Sequence, residues 1–240
     1  MATRLFHPCQ FQFADQDIRV DAVAISGGTS LSGYEDVIRT DGGGFWRADF
    51  NGADFGDRSD EGRAETLAWR ALNAGMQGGS VAVVVAFCDR LHQPVGDRAY
   101  VPHSDDSPFS DDTLYASSGA TSRVLAIRNG QAGGNRATVL DISCAGQRDL
   151  IGGERFTYFG ANGWGERAAE IYNIEDIEGG KRITFSPPIR GGIAIGDPLD
   201  FDDVRCLMRR TSQPSNALNM GAFSSGSISF QEDMRPPVVA

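Results

Sequence analysis

Apolar and polar residues alternate along much of the first sixty positions, as is typical of β-strands. Between 11 and 25 the apolar side chains recur at about every second position, which predicts a strand or a bent pair of strands. Short apolar segments follow over 33–58, and they are separated by three glycines at 42–44 and by Asn51 and Gly52. We interpret both breaks as turns between strands, since these residue types favour turns.

A helix is predicted over about 60–76. Ser59 is a suitable N-cap, Asp60 and Glu61 suit the positive end of the helix dipole, and a glycine pair terminates the pattern. Trp69 is expected to lie to one side of the apolar face. That face is expected to comprise Ala64, Leu67, Ala68, Ala71, Leu72 and Met76.

The character of the chain changes after the helix. The nearly all-apolar run at 80–89 predicts a buried strand. A polar, irregular stretch begins near 90, and its main part, 96–122, is interpreted as an extended arm or linker because so long a loop is uncommon inside a domain. Five short β-like segments then occur between 122 and 187, which predicts a small barrel or sandwich, with an OB-like barrel as one candidate.

This order of elements predicts a mainly β protein with two units. Residues 1–95 and 200–240 are expected to form one β-sandwich or barrel domain that carries the helix, because the last part of the chain supplies two or three more strands. Residues 123–199 are expected to form a small β-barrel inserted into that domain.

The composition and charge of the chain disfavour some classes of function. The chain of 240 residues has a formal net charge of -10, which disfavours a role in binding nucleic acid or anionic lipid. It has no apolar run long enough to span a membrane, and its start lacks a signal-peptide pattern. We therefore expect a soluble protein that folds in a cytoplasm.

The residues that usually bind metals are sparse. The four cysteines lack zinc-binding spacing and are predicted to be buried free thiols. There are only three histidines. Accordingly, neither a metal nor a cofactor is expected.

Two partial motifs have simpler structural explanations, and no complete catalytic motif is found. The glycines at 28 and 33 have the spacing of a phosphate loop but lack its lysine, so they predict a turn. Residues 57–62 imitate the start of a calcium loop, yet Ala68 stands where the bidentate glutamate is needed. No nucleophile elbow or identifiable catalytic base is present, and an enzyme is not expected.

The densest polar cluster lies in the arm. Asp and Ser are common in solvated turns, so a surface arm is favoured over a metal site, although a contact with a partner stays open. The candidate subunit or domain contacts in this segment are His103, Asp105, Asp106 and Phe109.

A second candidate contact is Arg190, which lies between two predicted strands. Pro187 and Pro188 cannot donate to a sheet ladder, and Gly191 and Gly192 permit a tight reversal. We interpret this segment as a joint where the inserted unit ends, with Arg190 forming an ion pair between domains or subunits. On that interpretation, Arg190→Ala weakens assembly and leaves the monomer folded.

The aromatic residues offer an alternative function. Aromatics in short strands are usually core or interface residues, but a stacking platform would suit sugars and would make the protein a carbohydrate-binding adhesion module. The residues of this hypothetical platform are Trp46, Tyr158, Phe159, Trp164 and Tyr172.

Several segments of the chain form a set of motifs. The set includes the helix with the strand after it, the arm VPHSDDSPFSDDTLY, and ERFTYFG with AEIYNIEDI. Its most specific part lies within 183–232. There a strand is followed by Pro-Pro-Ile-Arg, then by Gly-Asp, by the R-x-x-M-R strand at 205–209 and by a last strand ending Phe-Gln-Glu. Together these segments resemble the distal tail and minor tail proteins of long-tailed bacteriophages.

The resemblance implies a structural virion protein without enzymatic activity. It implies a ring-forming β domain, a homohexameric ring, and an inserted OB-like or galectin-like domain on the outside. The implied location is the phage tail tip, and the implied partners are the tail tube protein, the hub or tip protein and tail fibres. DNA would pass through the lumen without specific binding, and no membrane contact is implied.

Overall fold

The computed structural model describes residues 4–11, 13–22, 24–39, 43–55, 60–89, 92, 94, 100–101, 115–116, 124–129, 136–144, 150–214, 217–218 and 224–235. The candidate contacts His103, Asp105, Asp106 and Phe109 lie outside these residues. Within them the chain is mainly β with one α-helix, which confirms the predicted sandwich or barrel class.

The α-helix is α1 (Asp60–Gly75), and short 3₁₀ helices span Pro8–Phe11 and Gln77–Gly79. The strands are β1 (Arg4–Phe6), β2 (Asp15–Asp21), β3 (Ala24–Thr29), β4 (Glu35–Arg39), β5 (Phe45–Asp54), β6 (Val83–Ala86), β7 (Tyr100–Val101), β8 (Tyr115–Ala116), β9 (Val124–Asn129), β10 (Val139–Cys144), β11 (Arg155–Gly160), β12 (Gly165–Ile177), β13 (Gly180–Ser186), β14 (Pro198–Leu199), β15 (Arg205–Arg210), β16 (Ala217–Leu218) and β17 (Ser224–Glu232).

The first sheet combines strands from both ends of the chain. Its order is β1-β6-β15-β17-β5-β2, with β16 beside β17. The β1–β6 pair is parallel, and the other pairs are antiparallel. The predicted buried strand is β6, whose four residues are all buried. This sheet therefore depends on pairing between residues far apart in sequence.

Aromatic packing holds α1 against the first sheet. The Trp69 ring lies 5.2 Å from the Phe55 ring and 5.6 Å from the Phe11 ring, between centroids. Gly226 of β17 leaves room for it, because a Cβ there would lie 2.9 Å from the indole. Such edge and tilted contacts add to the large apolar area that a buried tryptophan removes from water.

The predicted apolar face of α1 is correct for Leu72 and Met76 and wrong for the other four residues. Trp69 is fully buried and defines the packing face together with Gly62, Leu72 and Met76, whereas Leu67 is exposed. The alanines Ala64, Ala68 and Ala71 are exposed as well. One large ring contributes more buried area than several methyl groups, so it sets the rotation of the helix.

A second correction concerns Asn51 and Gly52, where a turn was predicted. Strand β5 continues through both residues, because β2 pairs with it on one side and β17 on the other. Gly52 has a positive φ of 68°, opposite a register shift in β17. The Asn-Gly pair therefore accommodates a bulge in this strand.

The second sheet has the order β11-β12-β13-β10-β9-β14 and includes all five segments predicted to be strands. Thr157 of β11 pairs with Asp200, directly after β14, through N–H···O bonds of 2.7 and 2.9 Å. This bridge brings the first and last strands together, so the sheet curls round into a barrel. Its interior holds a separate apolar cluster that includes Phe156, Phe185 and Phe201.

The cysteines depart in part from the prediction of free thiols. Cys206 is a buried free thiol in the core of the first sheet. Cys88 is disulfide-bonded, so the prediction is wrong for this residue. Spacing along the chain does not reveal which cysteines a long-range sheet brings together.

Candidate functional site

The most distinctive polar arrangement lies where the first sheet meets the barrel, and Glu232 is at its centre. Its Oε1 accepts a hydrogen bond of 3.0 Å from Arg167 Nη1 of β12. Its Oε2 accepts a bond of 3.2 Å from the backbone N–H of Trp46 in β5. Arg190 Nε lies 4.0 Å from Oε1. One carboxylate thus connects three separate parts of the chain, and we call Glu232, Arg167, Arg190 and Trp46 the junction.

Burial makes this arrangement sensitive to the loss of any partner. The side chains of Glu232 and Arg167 are each only 2% exposed. Charges removed from water are costly unless they are paired and hydrogen-bonded. Arg167 Nε also donates to the carbonyl of Trp164 at 2.8 Å, which fixes the guanidinium on the barrel side.

Trp46 connects the two cores directly. Its Nε1 donates to the carbonyl of Ala168 in β12 at 2.7 Å, and its ring packs on Phe87. Arg155 of β11 lies over the ring, with Cζ 5.3 Å from the centroid. Ala168 belongs to the apolar cluster of the first sheet, so the outer wall of the barrel closes part of that core.

The segment around Arg190 is held by hydrogen bonds and by close packing against other parts of the chain. Arg190 Nη2 donates to the carbonyl of Gly44 at 2.8 Å, and its backbone N–H donates to the Tyr158 hydroxyl at 2.8 Å. Gly191 has a φ of 82°, and a Cβ there would lie 2.3 Å from the carbonyl oxygen of Ala161. A glycine is required at this close approach. Arg190 itself is 7% exposed and makes its described contacts within the chain.

Because those contacts are intramolecular, Arg190→Ala is expected to lower the stability of the monomer. Losing the charge-assisted bond to Gly44 should reduce the free energy of unfolding by about 1–3 kcal/mol. Urea denaturation followed by circular dichroism measures this change, and Arg63→Ala on the exposed side of α1 is the matched control. Equal midpoints for the two variants would contradict a stabilising role for Arg190.

Burial also suppresses ionisation near the junction. Desolvation raises the pKa of the Tyr158 hydroxyl and of the Cys206 thiol well above their usual ranges, and the negative charge of Glu232 acts in the same direction. Both groups therefore stay neutral at physiological pH. A neutral, buried thiol is a poor nucleophile, which argues for a packing role for Cys206.

An open cleft of about 390 Å³ lies elsewhere on the first sheet, where His7, Asp89, Asp202 and Asp203 line it. Arg205 lies 3.3 Å from a carboxylate oxygen of Asp203. Arg155 Nη1 lies 3.7 Å from an oxygen of Asp89. Within the described residues, no group of His, Cys, Asp and Glu side chains is arranged to hold a metal ion. Asp89 and Asp203 of the cleft are thus part of a charge-paired surface.

The other residues singled out from the sequence are dispersed. The glycines at 28 and 33 belong to the β3–β4 hairpin, where Gly33 N–H donates to Ser30 O at 2.9 Å, as expected for a turn. The proposed sugar platform does not form one surface, because Trp46 and Tyr158 are buried in different cores. Phe159 and Tyr172 are exposed.

Sequence reasoning did not identify Arg167 and Glu232 as partners. The sequence does indicate that Glu232 is buried. It follows Ile228 and Phe230 at every second position, so all three side chains lie on the core face of β17. A carboxylate on a core face requires a cationic or donor partner. Nothing in the sequence specifies that the partner is Arg167, which lies 65 positions away.

No protein-family model matches the chain, and no curated protein matches it either. The likeness to phage tail proteins therefore stays a prediction from sequence motifs. Among the described residues, no helix is long and apolar enough to cross a membrane.

Proposed function

We propose that this protein is a structural subunit of a phage tail tip, a distal tail or hub ring that joins the tail tube to the tip or baseplate. The observation that supports the proposal most directly is the convergence of the motif segments. Arg190, from the Pro-Pro-Ile-Arg segment, lies beside Glu232, from the last strand. The R-x-x-M-R strand lies next to that last strand, with Met208 opposite Glu232.

This convergence gives the motif a structural rationale. The segments that carry the resemblance connect the barrel to the first sheet, and this connection sets the position of the barrel on the sheet. In a ring, each subunit is in contact with a neighbouring subunit on both sides, and the connection between its barrel and its first sheet has to withstand the forces from both contacts. The proposed activity is thus assembly, with no catalysis and no cofactor.

Charge is compatible with a channel for DNA. A formal net charge of -10 opposes binding to phosphates, and DNA that passes a lumen must not be held there. In the proposed assembly the neighbours are the tail tube protein, the hub or tip protein and tail fibres. DNA passes through without specific contacts.

Native mass spectrometry and cryo-EM of the purified protein test the proposal. We expect a closed ring of identical copies, a hexamer by the resemblance, with a central opening wide enough for duplex DNA. The same measurement is made with the tail tube protein present. A particle that stays monomeric at all concentrations, with and without that partner, would contradict the proposed function.

A further inference from the structure

The β3–β4 hairpin carries a surface that the rest of the described chain does not cover. Strands β3 and β4 pair only with each other among the described strands. All side chains described between 24 and 38 are exposed. A two-stranded hairpin without further packing is marginally stable in water. We therefore expect contact with a partner to stabilise the hairpin.

The hairpin is nevertheless well formed. At its tip, Ser30 N–H donates to the carbonyl of Tyr34 at 2.8 Å, and Tyr34 N–H donates to Ser30 Oγ at 3.2 Å. Ile25 lies directly opposite Ile38 in the ladder. A partner would thus meet a shaped surface and would not need to order the backbone first.

The hairpin carries five of the twelve large hydrophobic side chains that are exposed among the described residues. Ile25 and Ile38, a cross-strand pair, are 55% and 53% exposed, and Leu31 and Tyr34 project at the tip. Val37 is exposed on the other face. Grouped exposed apolar side chains mark interaction surfaces, whereas isolated ones do not.

The position of the hairpin indicates which surface it meets. It lies between β2 and β5 in the chain, and these two strands form one end of the first sheet. The opposite end of that sheet is β1, and no other described strand pairs with its outer side. The hairpin lies at one end of the sheet and the β1 edge at the other. If the hairpin of one copy contacts the β1 edge of the next copy, the copies are joined head to tail.

The two ends of the sheet are not equivalent acceptors. Strand β2 contains three acidic residues, Asp15, Asp17 and Asp21, against the single basic residue Arg19. This excess of negative charge opposes the acidic pair Glu35 and Asp36 of β4. Strand β1 contains no acidic residue, and its Leu5 side chain is 43% exposed. Apolar contact and charge both favour β1.

We propose that the β3–β4 hairpin of one copy packs against the β1 edge of a second copy of this chain. The proposal rests on the proposed function of a ring subunit and assigns the contact that closes the ring. Each copy donates its hairpin to one neighbour and accepts a hairpin from the other.

The hairpin is tested with the double variant Ile25→Lys and Ile38→Glu, which removes the apolar pair and keeps a favourable cross-strand pairing. We expect the concentration of half-assembly in analytical ultracentrifugation to rise at least about tenfold, because two apolar contacts are lost. Ile195→Lys is the matched control, since Ile195 is 69% exposed and lies outside the hairpin. Its assembly should equal that of the wild type.

Leu5→Lys tests the acceptor and should weaken assembly to a similar extent. A mixture of the hairpin variant with Leu5→Lys is the decisive sample, because only one intact contact can form between the two chains. We expect a one-to-one dimer that does not grow. Contact between two hairpins would instead leave Leu5→Lys assembling normally, and that result would overturn the proposal.

The outcomes separate this inference from the proposed function. A wild-type ring that persists in the hairpin variant overturns the hairpin contact and leaves the ring role standing. A monomeric wild-type chain overturns both. Circular dichroism spectra that match the wild type confirm that each variant is folded.

Discussion

Replacing Glu232 with alanine should lower the free energy of unfolding by about 3–5 kcal/mol, the range for breaking a buried ion pair from one side. Arg167 and Arg190 would keep their positive charges in a buried position, and the Trp46 N–H would lose its acceptor. The loss is measured by urea denaturation at neutral pH.

Two further variants test whether the loss of stability arises from the buried ion pair. Glu178→Ala removes an exposed carboxylate from a turn of the barrel and should change stability little. The double variant Glu232→Leu with Arg167→Met should be more stable than Glu232→Ala alone, because it leaves fewer unpaired charges. If Glu232→Ala costs no more than Glu178→Ala, the junction does not hold the two units together.

Replacing Trp69 with alanine should lower the free energy of unfolding by about 3–5 kcal/mol, since truncating a buried aromatic side chain leaves a cavity. The indole packs between Phe11, Phe55 and the Gly226 backbone, and these groups cannot close the space without moving the helix. Thermal or urea unfolding monitored by far-ultraviolet circular dichroism measures the effect.

Leu67→Ala on the same helix is the matched control. Leu67 is 47% exposed, so its truncation should cost no more than about 0.5 kcal/mol. The pair also tests which face of α1 is buried. A larger loss for Leu67→Ala than for Trp69→Ala would restore the face expected from the sequence pattern.

The sequence predicted the elements whose formation depends on residues close together in the chain. The acidic first turn and the terminal glycines predicted α1, and the β-like segments at 155–160 and 169–177 predicted β11 and the greater part of β12. Such patterns depend on neighbours a few positions apart, which a sequence displays directly.

Features that depend on distant partners did not follow from the sequence. Asn51 and Gly52 lie in a continuous strand because β2 and β17 pair on both sides of it, and local turn preference does not include that contribution. The junction likewise joins residues from β5, β12 and β17, and no spacing rule brings them together. The arm residues His103, Asp105, Asp106 and Phe109 keep the status of predictions.

The Gly43 and Gly44 contacts have a mechanical consequence. Both residues lie just before β5 in the chain, and their carbonyls accept bonds from Ser186 Oγ at 2.9 Å and Arg190 Nη2 at 2.8 Å. A Cβ on Gly43 would lie 2.5 Å from the Pro188 ring. These contacts clamp the segment before β5 to the end of the barrel. A force that reaches Gly43 and Gly44 along the chain is therefore shared with Ser186 and Arg190, so it does not act on β5 alone.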